Sequence, residues 1–324
     1  MEIDRPTNSN GLALGLAVLN GFGVLAAFVV AAILFLSVAS EPVSSTRGFS
    51  LALPMLSLGW VSGLVGLVLL IGLVQAVARM GGKSLPAWKG AGSLRAASVA
   101  LVLIWPAALL GGNALAQEPS QLSLILLPPC LILAVALPAW WLLAFARRGL
   151  NIPAHRAWGT AGVVMMASLP LAMLVELFFI LIGGVFLMGM ISNQPELVNS
   201  LNQLTRDISR GQVDVDALTA IFEPFLRHPG VVFLLISGLA VVVPLVEETL
   251  KPLGLWFLAK RGFSPAQGFV LGATSGAAFA LVESLATLSS VSGEGWMGLA
   301  LGRAGTALLH ITCSGLKYTT IMAS

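Results

Sequence analysis

Long apolar runs alternate with short polar connections along the chain, and each run predicts a helix that crosses a membrane. Such a helix needs roughly 20 residues to span the hydrocarbon layer, and every run reaches about that length. We place eight spans at about residues 12–38, 50–78, 97–116, 123–146, 160–191, 231–259, 268–289 and 299–324. The pattern therefore predicts an all-α fold, a polytopic integral membrane bundle of about eight transmembrane helices.

The spans are interpreted as one membrane domain, residues 1–324, because no internal repeat or low-complexity linker separates them. Within it we distinguish a five-helix scaffold over residues 1–192, an extracytoplasmic amphipathic insertion over 193–230, and a three-helix core over 231–324 for which a catalytic role is argued below.

The polar insertion contains two helical patterns, the first beginning at Pro195 and ending at Gly211. The apolar positions are Leu197, Leu201, Leu204 and Ile208 in the first pattern, and Leu218, Ile221, Phe222 and Phe225 in the second. We expect two amphipathic helices that lie on the membrane or cap the bundle. They serve either as a connector packed on neighbouring loops or as a lid or substrate-docking element.

Basic residues are concentrated in the even-numbered connections between spans. They are Arg79, Lys83, Lys89 and Arg95 in the second, Arg147, Arg148 and Arg156 in the fourth, and Lys260 and Arg261 in the sixth. Cytoplasmic loops carry such an excess, so we expect the even connections and the N-terminus to be cytoplasmic.

The composition excludes several other classes of protein. Hydrophobic residues make up 57% of the chain and charged residues 10%, which is too apolar for a soluble domain. The net charge of +3 comes with no basic patch interleaved with aromatic residues, so nucleic acid is not an expected partner. Cys130 and Cys313 both fall in apolar segments, which argues against a disulfide framework and against a thiolate metal site.

The sixth span contains an unusual polar motif, EETLK, which places Glu247, Glu248 and Lys251 inside an apolar run. Each ionised side chain at mid-bilayer costs at least ~2.5–3.5 kcal/mol, so such groups must be paired, hydrated or functional. Pro244 and Pro252 flank the motif and loosen the helical backbone by removing hydrogen-bond donors. Charge and backbone polarity are therefore concentrated at this point of the chain.

The seventh and eighth spans bring further ionisable groups into the apolar layer. Glu283 follows Phe279 by one helical turn, and His310 and Ser314 lie four residues apart on one face. The first five spans contribute only Glu176. We therefore expect one cluster between spans six, seven and eight. Gly272, Gly276 and the small residues between them predict a face on which another helix packs closely.

Each of these residues also has a purely structural interpretation. The EETLK motif can form an ion pair that fixes helix packing, Glu283 can be a hydrogen-bonded packing acid, and His310 a satisfied buried histidine. Ser314 can bond the backbone of its own helix. Glu176 is either a paired or protonated structural acid or a pocket-lining group.

Carboxylates beside an imidazole in a low-dielectric, partly wet cavity can activate water. A glutamate can act as general base while histidine orients the water or stabilises the oxyanion. The same side chains can instead hold a zinc ion that lowers the pKa of its bound water. Both routes give hydrolysis inside the membrane.

Three sequences, EETLK (247–251), FALVE (279–283) and HITCS (310–314), resemble the EExxK, FxxxE and histidine motifs of the PrsW family of intramembrane proteases. That family is distantly similar to the type II CAAX prenyl endopeptidases and to bacteriocin-processing proteases. The resemblance covers about the last hundred residues. It implies catalytic roles for Glu247, Glu248, Glu283 and His310, supporting roles for Lys251, Phe279 and Ser314, and a possible metal set of Glu248, Glu283 and His310.

The resemblance further implies a substrate and a location. The expected substrate is a single-span, membrane-anchored protein such as an anti-sigma factor, and the expected location is the bilayer of a bacterial cytoplasmic membrane. The cofactor is left open between none and zinc. Two other functions fit the same residues: a proton- or ion-coupled transporter and a non-catalytic membrane scaffold.

Overall fold

The computed structural model describes residues 9–40, 46–83, 90–118, 120–150, 152–192, 194–210, 223, 225–253 and 264–323. This part of the chain is helical and contains no strand. The helices are α1 (Ser9–Ala39), α2 (Thr46–Met80), α3 (Gly90–Gln117), α4 (Gln121–Ala146), α5 (Ala154–Val163), α6 (Leu169–Ile191), α7 (Pro195–Arg210), α8 (Pro229–Ser237), α9 (Val243–Leu250), α10 (Pro265–Ser289) and α11 (Trp296–Ala323).

Seven helical segments of the described chain are long and apolar enough to cross a membrane. They are Gly11–Ala39, Leu51–Met80, Leu94–Gln117, Gln121–Ala146, Ala154–Gly189, Pro229–Leu250 and Pro265–Ser289. The predicted polytopic α-helical fold is confirmed. The eighth predicted span forms α11, a helix of 28 residues. It falls outside the seven because Arg303, His310 and Lys317 make it less apolar.

Two of the spans contain a π-helical segment just before a proline. Val164–Ser168 joins α5 to α6 ahead of Pro170, and Gly238–Val242 joins α8 to α9 ahead of Pro244. A proline cannot donate to the carbonyl one turn earlier, and widening the helix accommodates the lost bond. The loosened backbone predicted at Pro244 is therefore present.

The sixth span ends as a helix at Leu250, and Lys251 and Pro252 form a turn. The sequence predicts that this span continues to residue 259. Residues 254–259 lie outside the described part of the chain, so the prediction for them is not tested.

The chain divides into two compact units, and each is described by itself. Unit 1 consists of Met1–Leu169 and Lys251–Ser324, and unit 2 of Pro170–Leu250. This division follows packing, whereas the sequence-based division at residues 192 and 230 follows the chain and stays a prediction.

Unit 2 holds α6 and α8 together through apolar contacts. Leu187 of α6 packs against Phe225 and Val231. His228 caps α8, because its Nδ1 accepts from the Val231 N–H, and its Nε2 lies 2.7 Å from Gln194 Nε2.

The predicted insertion helices of unit 2 are partly described. The first is α7, which begins at Pro195 and ends at Arg210 as expected. Of the apolar positions in the second, only Phe225 lies among the described residues.

Unit 1 has its main apolar core around Trp296 at the start of α11. This side chain is fully buried and packs with Leu127 and Leu131 of α4 and with Leu285 and Leu288 of α10. The core fixes the end of the α10–α11 pair.

Cys130 and Cys313 are free thiols.

Candidate active site

Helices α10 and α11 of unit 1 meet through a row of glycines at four-residue intervals on α10. Gly268 faces the carbonyl of Tyr318, Gly272 that of Ser314, and Gly276 that of His310. A Cβ atom at Gly272 or Gly276 would overlap the facing carbonyl oxygen. The predicted face of small residues therefore exists, and it sets an antiparallel register in which α10 numbers rise as α11 numbers fall.

The same register brings Glu283 to His310. The carboxylate Oε2 of Glu283 lies 3.2 Å from His310 Nε2, and the ring of Phe279 lies 5.6 Å from the imidazole between centroids. Two residues predicted from separate motifs therefore touch. Their separation is within the reach required of a proton-transfer pair.

Arg303 holds the other oxygen of the carboxylate. Its Nη2 lies 2.8 Å from Glu283 Oε1, and its Nε donates to Ser284 Oγ at 3.0 Å. This pair continues the antiparallel register, since residue 283 lies seven residues after 276 on α10 and residue 303 lies seven residues before 310 on α11. The arginine supplies the positive charge that a carboxylate in an apolar layer needs.

Lys251 approaches His310 from the other side. Its Nζ lies 2.6 Å from His310 Nδ1 and 4.6 Å from the centroid of the Phe279 ring. An ammonium can only donate, so Nδ1 accepts, and the neutral imidazole carries its proton on Nε2, the nitrogen that lies 3.2 Å from Glu283 Oε2. Lys251, His310, Glu283 and Arg303 thus form a continuous polar chain, called the KHER chain below.

The backbone of Lys251 is anchored to both helices. Its carbonyl oxygen accepts from Ser275 Oγ on α10 at 3.0 Å and from Tyr318 OH on α11 at 2.8 Å. Lys251, Ser275 and Tyr318 are all fully buried. Two hydroxyl donors on one carbonyl therefore fix the start of the KHER chain.

The Arg303, His310 and Glu283 side chains of the KHER chain are largely buried, but each keeps some solvent exposure. The side chains of Arg303 and His310 are 14% and 15% exposed, whereas that of Glu283 is 27% exposed. Pairing with Arg303 offsets the cost of burying the carboxylate. The remaining exposure leaves Glu283 accessible to a water molecule or a substrate group.

Ser314 lies one turn beyond His310 and is buried. Its hydroxyl makes no hydrogen bond to any residue that the structure describes. The expected bond to its own helix backbone is therefore absent from the described contacts, and its supporting role stays a prediction.

The two motif glutamates belong to unit 2. Glu247 is buried and Glu248 half-buried in the last turns of α9, four and three residues before Lys251 in the chain. Their catalytic roles stay predictions based on the motif. Glu176 is half-buried in α6, and its role is likewise untested.

A carboxylate and an imidazole are ligand types that zinc accepts, and Glu283 and His310 present theirs 3.2 Å apart. They form part of a metal set, to which the sequence motif would add a glutamate. The hydrogen bonding around His310 places a proton on Nε2 where the ion would bind. Metal binding at this pair therefore requires loss of that proton.

Four residues around the KHER chain were not predicted from the sequence: Ser275, Ser284, Arg303 and Tyr318. Helical spacing could have revealed two of them. Arg303 lies seven residues before His310 and Tyr318 eight after it, so all three share a face of α11. Tyr318 is also the single tyrosine of the chain.

Comparison with known families gives one match. Residues 177–316 match the family model described as PrsW family intramembrane metalloprotease. No curated protein and no solved structure matches the chain. The matched segment contains all three motifs, so the resemblance seen in the sequence is confirmed over this range, and the match supports a membrane protease.

Proposed function

We propose that this chain, whose residues 177–316 match the PrsW family, is an intramembrane endopeptidase that cuts a membrane-anchored protein. The observation that carries the proposal is the contact between Glu283 and His310, 3.2 Å apart on two paired helices. Placing four ionisable side chains in an apolar layer costs free energy unless they contact one another. In the KHER chain, Nδ1 of His310 faces Lys251 and Nε2 faces Glu283.

In the proposed reaction, a motif glutamate, Glu247 or Glu248, takes a proton from a water molecule. The water oxygen bonds to the scissile carbonyl carbon, and the developing oxyanion accepts a hydrogen bond from the Nε2–H of His310, which keeps its proton. Lys251 holds the imidazole in this tautomer by donating to Nδ1, and Glu283 orients it. Collapse of the intermediate breaks the C–N bond, and the glutamate returns its proton to the leaving amine.

The role of zinc belongs to the same proposal. Glu283, His310 and a motif glutamate would hold the ion, which would supply a bound water of lowered pKa. The family description as a metalloprotease supports this version. The role of Arg303 as a fixed cation beside Glu283 is the same with or without the ion.

The proposed substrate is a single-span protein such as a membrane-anchored anti-sigma factor, in a bacterial cytoplasmic membrane. The family resemblance supports this class of substrate. The charge pattern of the connections supports a cytoplasmic N-terminus.

The test is cleavage of a single-span reporter by the full chain reconstituted in liposomes. Glu247→Gln and Glu283→Gln should each lower the cleavage rate at least about 100-fold, as expected for loss of a general base or of the group that orients the imidazole. Glu118→Gln, an exposed acid of unit 1, is the matched control and should cleave at the parental rate.

The same variants separate the other two functions. Ion-coupled uptake that Glu247→Gln abolishes, with no cleavage by the parental chain, would favour a transporter. A variant that changes only the free energy of unfolding would favour a scaffold.

A further inference from the structure

Phe279 of α10 contacts two members of the KHER chain, although its ring has no hydrogen-bonding group. The Nζ atom of Lys251 lies over the ring, 4.6 Å from its centroid. The imidazole of His310 lies 5.6 Å from the same centroid, with the two ring planes at 57°. The Nζ atom also lies 2.6 Å from His310 Nδ1. The ammonium, the imidazole and the benzene ring are therefore in mutual contact.

Helix geometry explains why Phe279 and Glu283 meet the same histidine. They are four residues apart, so they share one face of α10. Side chains lean towards the N-terminus of their helix, and α10 and α11 are antiparallel, so His310 leans towards the part of α11 that faces residues 279–283. Glu283 then faces the imidazole at Nε2, and Phe279 lies beside the ammonium at Nδ1.

The face of the Phe279 ring is a favourable neighbour for a buried cation. Both Lys251 and Phe279 are fully buried. The neutral imidazole nitrogen offers the ammonium an acceptor but no negative charge, whereas the face of an aromatic ring carries the negative part of its quadrupole. The attraction between a cation and a ring is strongest where both are desolvated. The ring therefore attracts Nζ at the place where Nζ reaches Nδ1.

The backbone anchor of Lys251 does not by itself fix the ammonium. Ser275 and Tyr318 hold the carbonyl oxygen of this residue. A flexible four-carbon stem separates the backbone from Nζ, and its rotamers place Nζ at different points. The ring of Phe279 favours the rotamer in which Nζ contacts Nδ1.

We propose that Phe279 is a positioning residue of the site, whose ring face holds the Lys251 ammonium at Nδ1 of His310. The imidazole is thereby kept with Nε2 on the side of Glu283. This inference rests on the proposed proteolysis, in which the Nε2–H of His310 donates to the oxyanion. It gives the supporting role of Phe279 a physical cause, which differs from the filling of space between α10 and α11.

The test changes the charge distribution of the ring at nearly constant volume. In the full chain, Phe279 is replaced by 4-fluoro-, 3,5-difluoro- and 3,4,5-trifluorophenylalanine. Each fluorine withdraws electrons and weakens the negative face of the ring. Cleavage of a single-span reporter in liposomes gives kcat and KM, and a denaturant titration in detergent gives the equilibrium constant of unfolding.

Stability and rate should change together along this series. The trifluorinated ring should raise the unfolding equilibrium constant about fivefold to 30-fold, and the other two rings should give intermediate values. The kcat should fall by about the same factor, whereas KM should change by less than about twofold, because the ring acts through the imidazole and not on the bound substrate. A ring that only filled space would leave both constants unchanged.

Phe269 provides the matched control on the same helix. It packs against Gly315 of α11, and among the described residues no cation lies over its ring. The same three replacements at Phe269 should leave kcat unchanged, and they correct for the greater hydrophobicity of fluorinated rings. In a second control, Lys251→Met keeps an apolar stem and removes the ammonium, so fluorination of Phe279 should no longer alter the unfolding equilibrium constant.

Three results would overturn the proposal. They are equal effects of fluorination at Phe279 and Phe269, an equal loss of stability with and without the Lys251 ammonium, and a loss of stability at unchanged kcat. The last would make the ring a structural contact only. If the parental chain cuts no reporter, the proposed function fails and the positioning role fails with it, whereas the denaturant titrations still decide whether the ring holds the ammonium.

Discussion

Replacing Gly276 by alanine should separate the two helices that hold the proposed catalytic groups. A Cβ atom at this position would lie 2.8 Å from Ile311 Cα and would overlap the carbonyl oxygen of His310, whereas ordinary contacts begin at 3.4 Å. Since both neighbours are main-chain atoms, α11 must move by at least 0.6 Å, the difference between these two distances.

That displacement is enough to separate the central pair. The distance between Glu283 Oε2 and His310 Nε2 is 3.2 Å, and adding the shift gives about 3.8 Å, beyond the ~3.2 Å reach of a proton-transfer pair. A misplacement near 1 Å can cost about 100-fold in rate, so we expect the cleavage rate to fall between about tenfold and 100-fold. Overpacking costs about 1–3 kcal/mol, offset by about 1 kcal/mol of helix propensity, so stability should fall by at most ~2 kcal/mol.

The assay pairs reporter cleavage in liposomes with a denaturant titration in detergent. Gly302→Ala, on α11 with nothing within 4 Å of its Cβ position, gains the same helix propensity without the clash and should keep parental activity. If Gly276→Ala matches Gly302→Ala in both measurements, the close approach of α10 and α11 is not what positions the site. The titration gives an answer even for a chain without measurable cleavage.

Three further predictions follow from the KHER chain. Tyr318→Phe removes one of the two donors on the Lys251 carbonyl and should cost about 1 kcal/mol in the denaturant titration; no change would show that the Ser275 hydroxyl alone holds this carbonyl. Arg303→Met leaves the Glu283 carboxylate without its cation and should destabilise the chain by about 2–3 kcal/mol, below the usual cost for a fully buried charge because Glu283 is partly exposed, whereas Arg303→Lys should recover part of the loss. Zinc binding at His310 Nε2 should release one proton from the Lys251–His310 pair and weaken as the pH falls, which calorimetry in two buffers of different ionisation enthalpy measures; binding without proton release would refute the assigned tautomer.

The hydrophobic pattern was sufficient to predict the membrane fold, because long apolar segments leave a chain in lipid no alternative to helices. The glycine spacing in α10 was sufficient to predict a close helix partner. The pattern placed the last span at residue 299, but α11 begins at Trp296. A start at residue 299 would put Arg303 only about one turn from the entrance of the span, whereas it lies two turns inside the helix.

Contacts between distant segments were harder to predict. Side-chain donors from Ser275 and Tyr318 converge on the main-chain carbonyl of Lys251, and nothing in the local sequence marks a carbonyl as an acceptor. A cavity between α1, α2 and α5 was equally hidden, because apolar residues that line a cleft have the same pattern as those that face lipid.

The glycine row of α10 has a consequence for how the protein tolerates change. Most cores absorb a substitution by shifting rotamers, but here peptide groups of one helix rest on peptide groups of the next, so no rotamer is available to relax. The distances between the polar groups of the KHER chain on α10 and α11 are therefore set by the backbone geometry of these two helices. Substitutions should be tolerated over most of the lipid-facing surface but not at Gly268, Gly272 and Gly276.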